Sequence, residues 1–310
     1  MAKKRTVTKA VKIGRSMAEE TLRRRRKAAA TRKRAIASSA TLETLSVTPG
    51  PKGLIAKAPV PASVGVLIAE GDSWFDYPFH DVLNDLEDSY GFDVESVAHK
   101  GDTVEDMAYA GGQLDEFARR VEKVLRTGVK PRAILLSGGG NDVAGEEFAI
   151  LLNHATSGIA GLNESIVTGV IDERLHDAYA TILSAITALC ERQIGETVPI
   201  IIHGYDYPVP DGRGFLGGWG PLPGPWLEPG FRRKGYGAMA SRRSLVVTLI
   251  DRFNAMLQRV AGHAPFSHVR YLDLRKTLSG GPNYKDWWAN ELHPTAKGFE
   301  AVTAKFAAIL

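Results

Sequence analysis

The sequence predicts an α/β protein in which a parallel sheet lies between two layers of helices. Three observations carry this expectation: short, wholly apolar runs at 64–69, 133–136 and 198–202; longer segments of helical period between them; and glycine-rich or polar strings directly after the runs. Apolar runs without alternation suit strands buried on both faces, and parallel neighbours need crossover helices between them. Ligands of such sheets bind outside the carboxyl ends of the strands, so the polar strings there are the place to look for chemistry.

In chain order the pattern gives a strand at 64–69, a helix at 82–90, a strand at 93–98, a helix at 103–125 and a strand at 133–136. A helix at 175–191, a strand at 198–202, a helix at 245–260, a strand at 269–272 and a helix at 295–310 follow. The helix before the last strand is the clearest, because Leu245, Val246, Leu249, Ile250, Phe253, Met256, Leu257 and Val260 trace one face. Residues 205–237 break the rhythm. They are rich in Gly and Pro, too long for an ordinary connection, and carry Phe215, Trp219, Trp226, Phe231 and Tyr236. We expect a cap over the site, its aromatic rings either contacting substrate or pinning the loop to the body.

The formal net charge of +4 is unevenly spread: residues 1–40 hold 14 Lys/Arg against 2 Asp/Glu, leaving 25 against 33 for residues 41–310. Self-repulsion in the cluster 23–27 argues that 1–40 is a disordered basic tail, with transient helix at most. Pro49, Gly50, Pro51, Pro59 and Pro61 make 41–62 a linker, so the folded body spans 63–310. Such a tail suits non-specific contact with nucleic acid or an anionic membrane surface, or serves as a solvated leader. No run is long enough to span a bilayer, and the basic start lacks the apolar stretch of a secretory signal, so the expected location is the cytoplasm. The single Cys190 has no partner for an internal disulfide and reads as a small core residue.

The strand ends concentrate the chemistry. After the first strand comes Glu70-Gly71-Asp72-Ser73-Trp74, where Gly71 permits a tight turn and Ser73 stands in a nucleophile's position, although such a serine also suits a plain turn or helix cap. Gly101 follows the second strand, and Gly138-Gly139-Gly140-Asn141-Asp142 the third. A phosphate-binding glycine loop is excluded there, because no Lys-Ser/Thr pair follows the glycines and no GxGxxG opens a helix. Near the C-terminus His293 precedes Pro294, a residue suited to the first position of the last helix. An acidic metallophosphoesterase set built on Asp72, Asp76, Asn141, Asp142 and His203 is disfavoured, since the DxH and GHxH strings of that family are missing.

Taken in order, Gly71-Asp72-Ser73, Gly101, Gly139-Gly140-Asn141-Asp142 and His293 resemble the blocks of the SGNH/GDSL hydrolase superfamily, over roughly residues 63–310. The resemblance implies the three-layer, flavodoxin-like α/β/α fold and a catalytic serine, Ser73, with His293 as base. It also implies an oxyanion hole from the Ser73 and Gly101 N–H groups and the Asn141 amide, with no metal or cofactor. Two departures stand out. Trp74 replaces the leucine of the GDSL string, and Asn290 occupies the place of the usual aspartate three residues before the histidine. The orienting partner of His293 is therefore open among Asn290, Asp286, Glu291 and a backbone carbonyl. Trp74, Trp219 and Trp226 are the candidate substrate contacts, and Trp287 and Trp288 should pack beneath the loop or line the same cleft.

Two functions follow. The first is hydrolysis of a small-molecule, lipid or carbohydrate ester, with lipase, acetylesterase, thioesterase and acyl-transfer variants on the same machinery. The second is a catalytically weak binding module that keeps the fold and uses the basic tail on nucleic acid or membrane; Asn290 and the tail motivate it. The ester itself and the oligomeric state are not legible in the residues.

Overall fold

The computed structural model describes residues 27, 30–38, 63–110, 112–217 and 222–310. The chain divides into two compact units, Val66–Asn84 with Val94–Leu310, and Met1–Gly65 with Asp85–Asp93. The basic cluster 23–26, the linker 41–62 and Trp219 lie outside the described residues.

The chain runs β1 (Val66–Glu70), α1 (Val82–Tyr90), β2 (Asp93–Ser96), α2 (Val104–Tyr109), α3 (Gln113–Arg126) and β3 (Ala133–Leu136). A short hairpin of β4 (Leu152–Asn153) and β5 (Gly161–Leu162) precedes α4 (Glu164–Val167), a π-helical stretch Thr168–Leu175 and α5 (His176–Ile194). Then come β6 (Ile200–His203), α6 (Glu228–Arg233), α7 (Met239–Ala261), β7 (Val269–Leu272) and α8 (Ala296–Ala307).

The main sheet has the order β2-β1-β3-β6-β7, with β1–β3, β3–β6 and β6–β7 paired in parallel. This is the doubly wound arrangement, flanked by helices as expected. Every residue of β3 and β6 is buried, and so are four of the five in β1, which is why these strands read as unbroken apolar runs. The helices bury matching stripes: Phe117, Val121 and Val124 on α3; Ile182, Leu183, Ile186 and Cys190 on α5; Phe299, Val302 and Phe306 on α8. Strand order reverses between β1 and β3, and the crevice at that switch point receives the loops carrying Ser73 and Asn141.

Several elements differ from the sequence reading. The helix expected over 103–125 is two helices: Ala110 is extended, and Gly112 sits at φ 95°, a left-handed conformation glycine adopts without steric cost. The last helix starts at Ala296, not at Pro294, because the Thr295 side chain caps it by accepting the Gly298 N–H at 3.2 Å. The helical stretch 164–175 went unseen because Gly169 and β-branched residues weaken its local propensity. Asn163 caps it, and Arg252 of α7 ties it down through Asp172 at 2.7 Å and Glu164 at 2.5 Å. Residues 205–237 likewise include a helix, α6.

In the smaller unit, residues 30–38 are helical, so the expectation that all of 1–40 stays unpacked does not hold for them. Arg32 explains the difference, because its guanidinium donates to the Glu87 and Phe92 carbonyls at 2.9 and 2.6 Å and pairs with Asp93 at 2.5 Å.

Leu135 is fully buried on the central strand. Leu135→Ala is expected to lower stability by about 2–5 kcal/mol, read as a lower urea midpoint with an unchanged m-value.

Candidate active site

The Ser73 turn is set by close approach of two strand exits. A Cβ on Gly71 would meet the Ser137 Cβ at 2.7 Å and its carbonyl oxygen at 2.9 Å, so only glycine fits where β1 passes β3. Beyond it the chain closes a helical turn, with the Phe75 and Asp76 N–H groups donating to the Asp72 carbonyl. Asp72 is buried, and its carboxylate accepts the Trp74 N–H at 3.0 Å, the Ser137 hydroxyl at 2.8 Å and the Tyr205 hydroxyl. One side chain thus joins the exits of β1, β3 and β6. These bonds hold the turn that presents Ser73.

The second half of the site is the turn before α8. The Ala289 and Asn290 N–H groups donate to the His293 carbonyl at 2.9 and 3.4 Å, and Trp288 bridges to Pro294. This tight fold brings Asn290 back onto His293. The Asn290 Oδ1 accepts the Leu292 and His293 backbone N–H groups at 3.0 and 2.9 Å and lies 3.0 Å from the His293 Nδ1. Three donors converging on one oxygen fix the orientation of the amide, and its Nδ2 donates to the Tyr77 hydroxyl at 3.0 Å. His293 then presents Nε2 to the Ser73 Oγ at 2.7 Å. An Nδ1–H donated to Asn290 leaves the Nε2 lone pair facing the serine hydroxyl. Burial, with no carboxylate alongside, pushes the imidazole down to about 3.

The other two acids considered as partners do not take that place. Glu291 is fully buried and points the other way, accepting the N–H groups of Gly212 at 2.9 Å, Trp226 at 2.6 Å, Leu227 at 2.7 Å and Glu228 at 3.0 Å. It moors the 205–237 segment directly beside His293. Among the described residues Asp286 makes backbone bonds alone, its N–H to the Asn283 carbonyl at 3.0 Å and its carbonyl to the Thr295 hydroxyl at 2.8 Å.

Gly101 sits at φ 94° with open space where a Cβ would be, and the Asn141 Nδ2 donates to the Asp102 carbonyl at 2.8 Å, with a second hydrogen to spare. Among the described residues neither the Ser73 nor the Gly101 N–H has an acceptor. Two carboxylates hold this loop. Asp76 accepts the Lys100 N–H at 3.0 Å, and Asp142, pushed up to about 6 by burial, accepts those of Val104 and Glu105 at 2.9 and 3.3 Å.

Of the aromatic candidates, Trp226 meets the His293 ring edge-on at 5.4 Å and lines an open cleft of about 380 Å³ together with Ser73, Tyr77, Gly101, Phe215 and His293. Trp74 is buried, donates from its indole to the Leu292 carbonyl at 3.2 Å and, with Trp288, walls a second, narrower cavity behind Ser73. Trp287 lies under the Lys297 ammonium at 4.1 Å and lines neither space. Phe231 and Tyr236 pin the segment to the body instead, Phe231 against Phe148 at 4.8 Å and Tyr236 through its hydroxyl to the Asn153 carbonyl at 2.9 Å. His203 is buried among Trp74, Phe75, Tyr205 and Phe306, away from both spaces.

Sequence reasoning missed Tyr77. Its ring stacks on His293 at 4.3 Å and 19°, while its hydroxyl takes the Asn290 amide proton. Nothing in a tyrosine four residues after a serine announces that role, since the contact spans 213 positions to Asn290.

Glu291→Gln exchanges a carboxylate bonded to four N–H groups for a neutral amide, one of whose ends is a donor that clashes with them. The variant is expected to stay folded, lose about 1–3 kcal/mol, and show faster hydrogen exchange confined to 212–228. Unchanged exchange there would refute the mooring role.

A family model described as the GDSL-like lipase/acylhydrolase family matches residues 67–301. No curated protein matches by sequence. Among solved structures, the lipase Lip_vut3 from a goat rumen metagenome is 14% identical, covering 78% of this chain and 96% of its own, with a TM-score of 0.44. A catalytic mutant of Axe2, an acetylxylan esterase from Geobacillus stearothermophilus, is 15% identical, covering 80% and 94%, with a TM-score of 0.42. The psychrotrophic esterase EstA from Pseudoalteromonas sp. is 10% identical, covering 79% and 95%, with a TM-score of 0.42.

Proposed function

The chain belongs to the GDSL-like lipase/acylhydrolase family, and from that premise we propose that it hydrolyses carboxylic esters with Ser73 as nucleophile and His293 as general base. The observation that carries this reading is the 2.7 Å contact between the Ser73 Oγ and the His293 Nε2, within the reach a proton transfer needs. The Ser73 oxygen attacks the ester carbonyl carbon as Nε2 takes its proton. The carbonyl oxygen becomes an oxyanion, facing the Ser73 and Gly101 N–H groups and the Asn141 amide; each such donor is worth roughly 100- to 1,000-fold in rate. Collapse of the tetrahedral intermediate breaks the bond to the alcohol, which leaves with the proton from Nε2. Water, deprotonated by the same nitrogen, then frees the acid and restores the serine.

Asn290 takes the position of a triad acid without its charge. An amide oxygen orients the ring and fixes the proton on Nδ1, but stabilises imidazolium less than a carboxylate does. Tyr77 is a positioning residue here, holding the amide from one side and the ring from its face. The substrate is a small-molecule, lipid or carbohydrate ester whose reacting carbonyl reaches Ser73 through the aromatic cleft.

The test is turnover of p-nitrophenyl esters with fluorophosphonate labelling. Ser73→Ala and His293→Ala are each expected to lose at least about 10³-fold in kcat/KM, and Ser73→Ala to lose labelling. A folded wild type with neither turnover nor labelling would overturn the assignment and favour a binding module.

The pH profile tests the role of Asn290. Neutral His293 is the active form, so the wild-type acid limb should lie far below the ordinary histidine range, toward about 3. Asn290→Asp puts a carboxylate beside the ring, which favours imidazolium, so its acid limb should move to higher pH. Its plateau kcat should rise at least about tenfold, part of the roughly 10⁴-fold that the opposite exchange costs in a serine protease. An unmoved limb would sink the role given to Asn290.

A further inference from the structure

Two spaces meet at Ser73, and their walls differ in kind. The wider one is the aromatic cleft of Tyr77, Phe215 and Trp226, with Lys100 at its rim. The narrower one runs behind the serine and has a volume of about 60 Å³. Its walls are Phe148, Ile171, Val246, Leu249, Ile250 and Phe253, drawn from the segment after β3, the π-helical stretch and one face of α7. Ser73, Asn141 and His293 border both spaces, so a carbonyl at the serine can extend one substituent into each.

The two carboxylates in the narrower wall are already committed. The Asp72 carboxylate is taken by Trp74, Ser137 and Tyr205. Asp206 accepts the N–H groups of Tyr207, Lys276 and Leu278 at 2.8, 2.8 and 2.5 Å. A hydroxyl or charge on a substituent placed there would lose its water and find few partners, and an anion would face two carboxylates besides. An unbranched hydrocarbon meets no such penalty. About 60 Å³ holds roughly four to six bodies of water or methylene size.

Building on the serine-esterase reading, we propose that the narrow apolar cavity is the acyl subsite, that it selects saturated acyl groups of about four to six carbons, and that the alcohol leaves through the aromatic cleft. The direction follows from access. The acyl group stays on the serine while water enters, whereas the alcohol must depart after the first step, and the cleft is the wider and more open of the two spaces. The π-helical stretch is part of the device, because its geometry sets Ile171, fully buried, into the cavity wall opposite α7.

The experiment is kcat/KM for p-nitrophenyl acetate, butyrate, hexanoate, octanoate and decanoate, alongside a series of alkyl acetates of rising alcohol length. Values should climb roughly fourfold per methylene, the gain expected for burying each one, up to butyrate or hexanoate, and then fall at least about tenfold by decanoate. Val246→Phe, which fills the cavity, should move the optimum to acetate. Ile171→Ala, which lengthens it, should move the optimum one or two carbons further. Opposite shifts cannot come from a general loss of folding. The alkyl acetates should show no such shift in either variant. Turnover with an optimum that neither variant moves, or a shift in the alcohol series instead, overturns the acyl assignment while leaving the serine esterase intact. No turnover of any ester by wild type removes the esterase reading and the acyl subsite together.

Discussion

The buried carboxylate of Asp72 holds the described site together. Burying such a charge costs several kcal/mol unless it is fully hydrogen-bonded, and here the donors come from three strand exits: Trp74 after β1, Ser137 after β3 and Tyr205 after β6. That requirement forces the three loops together at the switch point of the sheet. The contact tolerates no Cβ at Gly71, so the turn has one way to close, and Ser73 is aimed by it. Asp76 and Asp142 repeat the device at lower stakes, gripping the Gly101 loop from two sides.

The turn before α8 solves a different problem, the placement of a histidine whose partner lacks charge. Glu291 and Asn290 are adjacent and face apart, one toward the backbone of Trp226 and one toward the ring. The charge therefore serves the architecture, where four backbone N–H groups offset its burial, while the neutral amide serves the histidine. Stacked on Tyr77 and sealed by Trp226, that histidine is kept neutral by burial over the pH range in which an ordinary imidazole would titrate. The same turn ties the site to the segment after β6, since any shift of Gly212, Trp226, Leu227 or Glu228 pulls on Glu291, next in the chain to Asn290.

The sequence carried much of this. Wholly apolar runs marked β1, β3 and β6 because burial on both faces leaves no room for alternation, and glycines at the strand ends marked the loops that approach one another. The order of four short blocks carried the family. The break between α2 and α3 escaped because two residues in non-helical conformations leave the surrounding periodicity intact. The 164–175 stretch escaped because Arg252, distant in sequence, supplies what local propensity lacks.

By itself, then, the sequence determined the doubly wound fold, the family, and the identities of Ser73, Gly101, Asn141 and His293 as the residues to examine, since these follow from local pattern and from position relative to strands. Only the tertiary structure decided that Asn290, and not Asp286 or Glu291, stands beside the His293 Nδ1. Only it decided that Tyr77 clasps both Asn290 and the ring, and that Ser73 lies between a narrow apolar cavity and a wider aromatic cleft. Hydrogen bonds and cavities join atoms hundreds of residues apart, and their geometry is fixed by packing that leaves no periodic trace in the chain.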